Sequence, residues 1–187
     1  TFAAGDNTSN HNNMSGSVVI GQEASHLGAA NWAVKIGYQA GYRTYANYNT
    51  TVGYRSGGYA NSGASGDNNV SMGAEALYSM QSSSDNVAIG HKAGRGLTTG
   101  GANVLIGREA GVHGMSVTSG GNNIIIGAYS NTSQAASDTE VVVGYNVTGR
   151  GNNTFTTGKA GSWVGLSFGS TTVSSSSDER LKENIQN

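Results

Sequence analysis

The chain has 187 residues, including 30 Gly and neither Pro nor Cys; 11% of it is charged and the formal net charge is −1. That balance leaves no electrostatic footprint for nucleic acid or an anionic membrane surface, and no apolar run approaches the roughly 20 residues of a membrane span. Without Cys there are no disulfides or thiolate metal sites, and no basic start with a following apolar stretch marks a secretory leader.

Residues 1–17 form a lead-in without periodicity. From Val18 the phrase "apolar, any, apolar, Gly, two residues, small" recurs: "VVIGQEAS" at Val18, "VKIGYQAG" at Val34, "NVAIGHKAG" at Asn86 and "NVLIGREAG" at Asn103. The motif glycines are Gly21, Gly37, Gly53, Gly73, Gly90, Gly107, Gly127 and Gly144, with a degenerate ninth at Gly158; their spacings are 16, 16, 20, 17, 17, 20, 17 and 14. A Gly/Ser/Asn-rich linker would not hold Val and Ile at fixed offsets, and a period near 17 marks a solenoid.

The residues one and three before each glycine are mostly β-branched, as at Val104 and Ile106, and the one between is free: Lys35, Ser71, Ala88, Leu105. This is strand alternation, and it predicts that the β-branched pair faces inward. Glycine then marks a bend or a close backbone approach. The small residue that follows (Ala24, Ala40, Ser56, Ala76, Ala93, Ala110, Ser130) predicts a crowded interior. Turn chemistry precedes each strand, as in "GDNN" at Gly66 and "GGNN" at Gly120. The longer spacings, at "GYANSGASGDNN" and "VTSGGNN", read as loop insertions.

The prediction is an all-β fold: a parallel β-solenoid (β-roll or β-helix) of 16–20-residue coils over residues 18–160, with a neck or cap over 161–176. Coils stacked at roughly 4.8 Å give a rod on the order of 40 Å long. Two large side chains per coil, at about 1.5–3 kcal/mol each, fall well short of the backbone entropy of roughly 17 ordered residues. Side-by-side association of several chains is therefore expected. Trp163 and Phe168 are placed as plugs for the open end.

Six tyrosines fall within 22 residues: Tyr38, Tyr42, Tyr45, Tyr48, Tyr54 and Tyr59, near Trp32, Arg43 and Arg55. Exposed aromatics beside donors suit sugar faces; coil-on-coil stacking or a place between chains is the competing reading. The pairs after the glycines, such as Gln22–Glu23, His91–Lys92 and Arg108–Glu109, read as a solvated face. His11, His26, His91 and His113 show no metal-ligand spacing, so no metal and no cofactor are expected.

At "DNVAIGHKAG" and "GNNIIIGAYSN" the repeats resemble the heads of trimeric autotransporter adhesins and, equally, the Gly/Asn-rich coils of phage tail fibres. The end, "SSSSDERLKENIQN", changes composition abruptly. It resembles the opening of the peptidase S74 family, the intramolecular chaperone that trimerises phage fibres and then cuts itself off. That likeness implies cleavage before Ser177, with Ser177 and Lys182 as the reactive pair and 177–187 as the start of the chaperone domain. A Ser hydroxyl needs a neighbouring base, which a desolvated Lys can supply. Only ten residues follow Ser177, none placed to desolvate Lys182, so no enzyme activity is expected of this chain. "SSDE" also fits a helix capping box.

The resemblances imply a homotrimeric, host-receptor-binding segment of a virion tail fibre. Its partners would be two further copies, the chaperone, and a host-surface glycan or protein; neither nucleic acid nor membrane insertion is expected. A bacterial adhesin head is the alternative. "IGREAG" also fits the hexapeptide pattern of left-handed β-helix acyltransferases, but those need three hexads per coil and one is present. Calcium-binding nonapeptide repeats would need Asp at nine-residue spacing.

Overall fold

The structure is a computed structural model that describes residues 2–4, 15–27, 30–58, 64–114, 116–170 and 173–175. Its strands are β1 (Phe2–Ala4), β2 (Val18–Ile20), β3 (Val34–Ile36), β4 (Thr50–Val52), β5 (Val70–Met72), β6 (Val87–Ile89), β7 (Val104–Ile106), β8 (Ile124–Ile126), β9 (Glu140–Tyr145), β10 (Thr154–Lys159), β11 (Ser162–Ser167) and β12 (Val173–Ser175). They form one sheet in chain order. Each strand from β1 to β9 pairs in parallel with the next. β11 and β12 then add antiparallel. Among the described residues there is no helix. The molecule is a parallel β-solenoid with coils about 17 residues apart, as the period predicts.

Three-residue strands hold together because the return segments are also bonded coil to coil. Lys92 N donates to Ala74 O (2.8 Å), Gly94 N to Ala110 O (2.9 Å) and Thr98 N to Thr118 O (2.8 Å). The irregular backbone is thus paired away from water, as buried amides require.

The direction of the alternation is opposite to the sequence expectation. The middle residue of each strand points inward: Val19, Lys35, Thr51, Ser71, Ala88, Leu105, Ile125, Val142 and Thr156 are all at most 1% exposed. The β-branched pair faces outward, with Ile89 38% and Ile126 39% exposed. A period of two fixes which residues share a face but not which face is covered. The turn decides that. The positions immediately before the strand and at the glycine share the middle residue's side. They lie within the coil, where a narrow bore admits one strand side chain per layer.

Opposite that wall, Ala24, Ala40, Ser56, Ala76, Ala93, Ala110 and Ser130 are fully buried, so the crowded interior is as expected. The filling changes along the rod. Residues from Ala64 to Val147, including Leu77, Met80, Leu97, Leu105, Val117, Ile125 and Val142, make one aliphatic cluster. Nearer the first coils, a small apolar cluster of Val19 and Ala24 is followed by a more polar interior: Ser25, Lys35, Thr44, Thr51, Ser56 and Ser71 are all buried.

The residues before the strands form a buried ladder. Asn103 Oδ1 accepts from the main-chain N and Nδ2 of Asn123, both at 3.0 Å, and Asn103 Nδ2 donates to Asn86 Oδ1 (3.0 Å) and Gly120 O (2.9 Å). Asn49, Asn69 and Asn86 repeat the arrangement. It ends at Glu140, whose N donates to Asn123 Oδ1 (2.9 Å) and whose carboxylate accepts from Ser133.

At the far end, Trp163 pairs with Gly158 across the β10–β11 hairpin, and the Arg150 guanidinium lies 3.8 Å over its ring. Phe168 is 48% exposed, so it does not plug the bore; it follows β11 beyond the last coil.

Candidate functional site

Two surfaces carry chemistry that the fold does not consume. The first is the outer face of the sheet. Register stacks the outward residues into two columns: one runs Val34, Thr50, Val70, Val87, Val104, Ile124 and Val141, the other Ile36, Val52, Met72, Ile89, Ile106, Ile126 and Val143. Beyond the solenoid, the antiparallel strands continue the columns with Phe155, Leu166 and Val173, and with Thr157 and Val164. No charged side chain interrupts either column from β2 to β12. Parallel sheets are ordinarily covered on both faces; among the described residues, this one is covered only from within.

The second surface is the aromatic-rich region, which the structure divides among three corners. Trp32 and Tyr48 occupy the equivalent position two residues before successive strands and are 59% and 58% exposed. Both are in the left-handed region, at φ 56° and 58°. Later coils place Asn68, Asp85, Ala102, Asn122 and Thr139 there, of which the Asn and Asp residues are the types suited to that conformation. The Trp32 indole lies over Gly16, whose added Cβ would meet Cε3 at 2.3 Å.

Tyr38 and Tyr54 follow the glycines and stack coil on coil at 5.5 Å. Arg55 lies 5.0 Å over the Tyr54 ring and donates from Nε to Gln39 Oε1 (2.8 Å), while Gln39 Nε2 donates to Glu23. Tyr42 stacks on His26 at 5.3 Å, with Arg43 5.8 Å from its ring. Tyr45 is 58% exposed. Stacking between coils therefore occupies Tyr38, Tyr42 and Tyr54, and leaves Trp32, Tyr45 and Tyr48 as the described aromatic side chains of this region most open to solvent. Tyr59, Ser177 and Lys182 lie outside the described residues.

One titratable group was not singled out by the repeat pattern. Lys35 occupies a middle position and is fully buried. Its Nζ donates to Ser25 Oγ (2.9 Å) and to Thr44 O (3.3 Å). Burial lowers its pKa from 10.5 to about 7, because the ammonium loses its water without gaining a carboxylate. The clue lay in the alternation, had its direction been known.

Among the described residues no three His, Cys, Asp or Glu side chains converge as a metal site. His26 and His113 stack against tyrosines. Comparison with protein-family models, with curated proteins and with solved structures finds no match to this chain.

Proposed function

We propose that this chain is a structural and adhesive segment of a homotrimeric fibre, assembled through the outer face of its sheet and presenting an aromatic surface to a host-cell glycan or protein. The observation that carries the reading is the pair of uncharged, apolar columns along the outside of the rod. A contiguous exposed apolar surface of this extent marks an interface. A second copy is the fitting occupant, since a straight stripe is complementary to an identical straight stripe. The number three, the virion setting and the self-cleaving chaperone beginning at Ser177 rest on the resemblance of the repeats and of "SDERLKENI" to phage fibre sequences. The receptor-binding role rests on Trp32, Tyr45 and Tyr48, which are exposed by more than half and suited to stacking on a sugar face.

The test is light scattering on the purified chain and on the Ile89→Lys/Ile126→Lys variant. Wild type is expected at three times the chain mass. The variant is expected as a monomer with unchanged β-sheet circular dichroism, because both side chains already face outward. A monomeric wild type would remove the basis of the proposal.

A further inference from the structure

The C-terminal end of the rod carries a second concave surface, distinct from the apolar columns and from the Trp32–Tyr48 corner. A cleft of about 310 Å³ opens beside Trp163, with Asn146, Thr148, Arg150 and Lys159 on its walls. Its volume is at the lower end of the range for small-molecule sites. A smaller cleft, also bordered by Trp163 and Arg150, is walled by Thr154, Ser167 and Ser174 and by Phe155 and Leu166 of the apolar column, which it therefore adjoins. No carboxylate lines either one.

The two cations here differ from others on the rod. Arg95 is paired with Glu75 at 2.8 Å and Arg55 is held by Gln39. Arg150 lies 3.8 Å over the face of Trp163, and neither it nor Lys159 takes a side-chain hydrogen bond or ion pair among the described residues. A guanidinium over an indole keeps its in-plane N–H donors free. Of the described acids, the two that precede these cations in sequence are engaged elsewhere: Asp138 accepts from Gly121 N (2.8 Å) and Glu140 from Ser133. Among the described residues, the cleft thus joins an aromatic wall, hydroxyl and amide groups, and two cations without a carboxylate partner.

We propose that this cleft binds an acidic saccharide residue, its carboxylate held by Arg150 and Lys159 and its ring lying along Trp163. Charge-assisted hydrogen bonds from a planar fork suit a carboxylate, and the hydroxyl-bearing walls suit the remaining sugar oxygens. The inference goes beyond the fibre proposal and does not rest on it, since the cleft lies within one chain.

Calorimetry on the full chain with trigalacturonate, galactotriose and sodium phosphate tests it. Trigalacturonate is expected to bind saturably, at least ten-fold more tightly than galactotriose. Arg150→Gln and Lys159→Gln should each weaken it at least ten-fold, with circular dichroism and light scattering unchanged. Raising the salt concentration should weaken it as well. The proposal is overturned if trigalacturonate does not bind, if galactotriose binds equally, or if both variants bind as wild type. It is also overturned if phosphate displaces the trisaccharide at comparable concentration, which would make the cleft a simple anion site. Should one variant fail to fold, the other decides.

Discussion

A lysine inside a bore that elsewhere admits Ala, Leu and Ile is a local defect with a defined pH signature. Lys35 titrates near 10.5 when solvated and near 7 in the folded chain. Between those values the unfolded chain carries a proton that the folded chain has released, so stability rises as pH climbs from 7 to 10.5. Below 7 both forms are protonated and the full penalty remains. The separation corresponds to roughly 4–5 kcal/mol. Lys35→Met is accordingly expected to raise the guanidinium-unfolding free energy by about 3–5 kcal/mol at pH 6 and by little near pH 10. Equal gains at both pH values would show that the amine is not held neutral by burial. At the same scale, the buried asparagines explain what turn propensity could not. Asn69, Asn86, Asn103 and Asn123 were legible as turn formers because Asn tolerates tight corners. Their side-chain ladder was not, because hydrogen bonds between coils join residues 17 or 20 apart and leave no local signal.

The coil is an element whose two strand-flanking corners are fixed by different means. Before the strand stands the Asn ladder, and after it a column of glycines. Gly90 has φ +132°, and a Cβ there would lie 2.6 Å from Gly107 O; at Gly107 it would lie 2.7 Å from the carbonyl carbon of Gly127. Backbone against backbone cannot yield as a side-chain end can. Gly107→Ala is therefore expected to cost about 3 kcal/mol or more, combining strain and a clash along the stacking axis. Gly114 also has positive φ, +79°, but among the described residues nothing lies within 4 Å of its added Cβ. Gly114→Ala should cost only about 1 kcal/mol. Similar losses in the two variants, measured by thermal unfolding, would contradict the close approach. Period, strand positions and small interior residues were readable because each repeats at a fixed offset. The inward face was not, because three-residue strands present two apolar residues outward and one inward. A reading that counts apolar residues assigns the majority to the core. Lys35, Thr51 and Ser71 at the middle position made the error easier, since polar residues there looked solvent-facing.

Over the whole rod, two sources of stability have different shapes. The outward columns are uniform from β2 to β9, so any partner covering them would stabilise every coil alike. The bore is graded: after the small Val19–Ala24 cluster, Lys35 and hydroxyls occupy the middle positions of β3 to β5, and aliphatic side chains fill the coils from Leu77 to Val142. In a solenoid each coil is supported by its neighbours, and stability is close to a sum of coil and interface terms. Opening should therefore begin where the bore is polar, because separating those coils exposes little apolar area. Hydrogen exchange read by mass spectrometry is expected to show the slowest amides in β6, β7 and β8, and faster exchange in β2 and β3, with the boundary near β5. The Lys35→Met variant supplies an internal control. It should slow exchange in β2 to β4 and leave β6 to β8 nearly unchanged, because the substitution fills the bore only locally. Uniform protection from β2 to β8 in the wild-type chain would mean that coverage of the outer face, and not the filling of the bore, sets the order of opening.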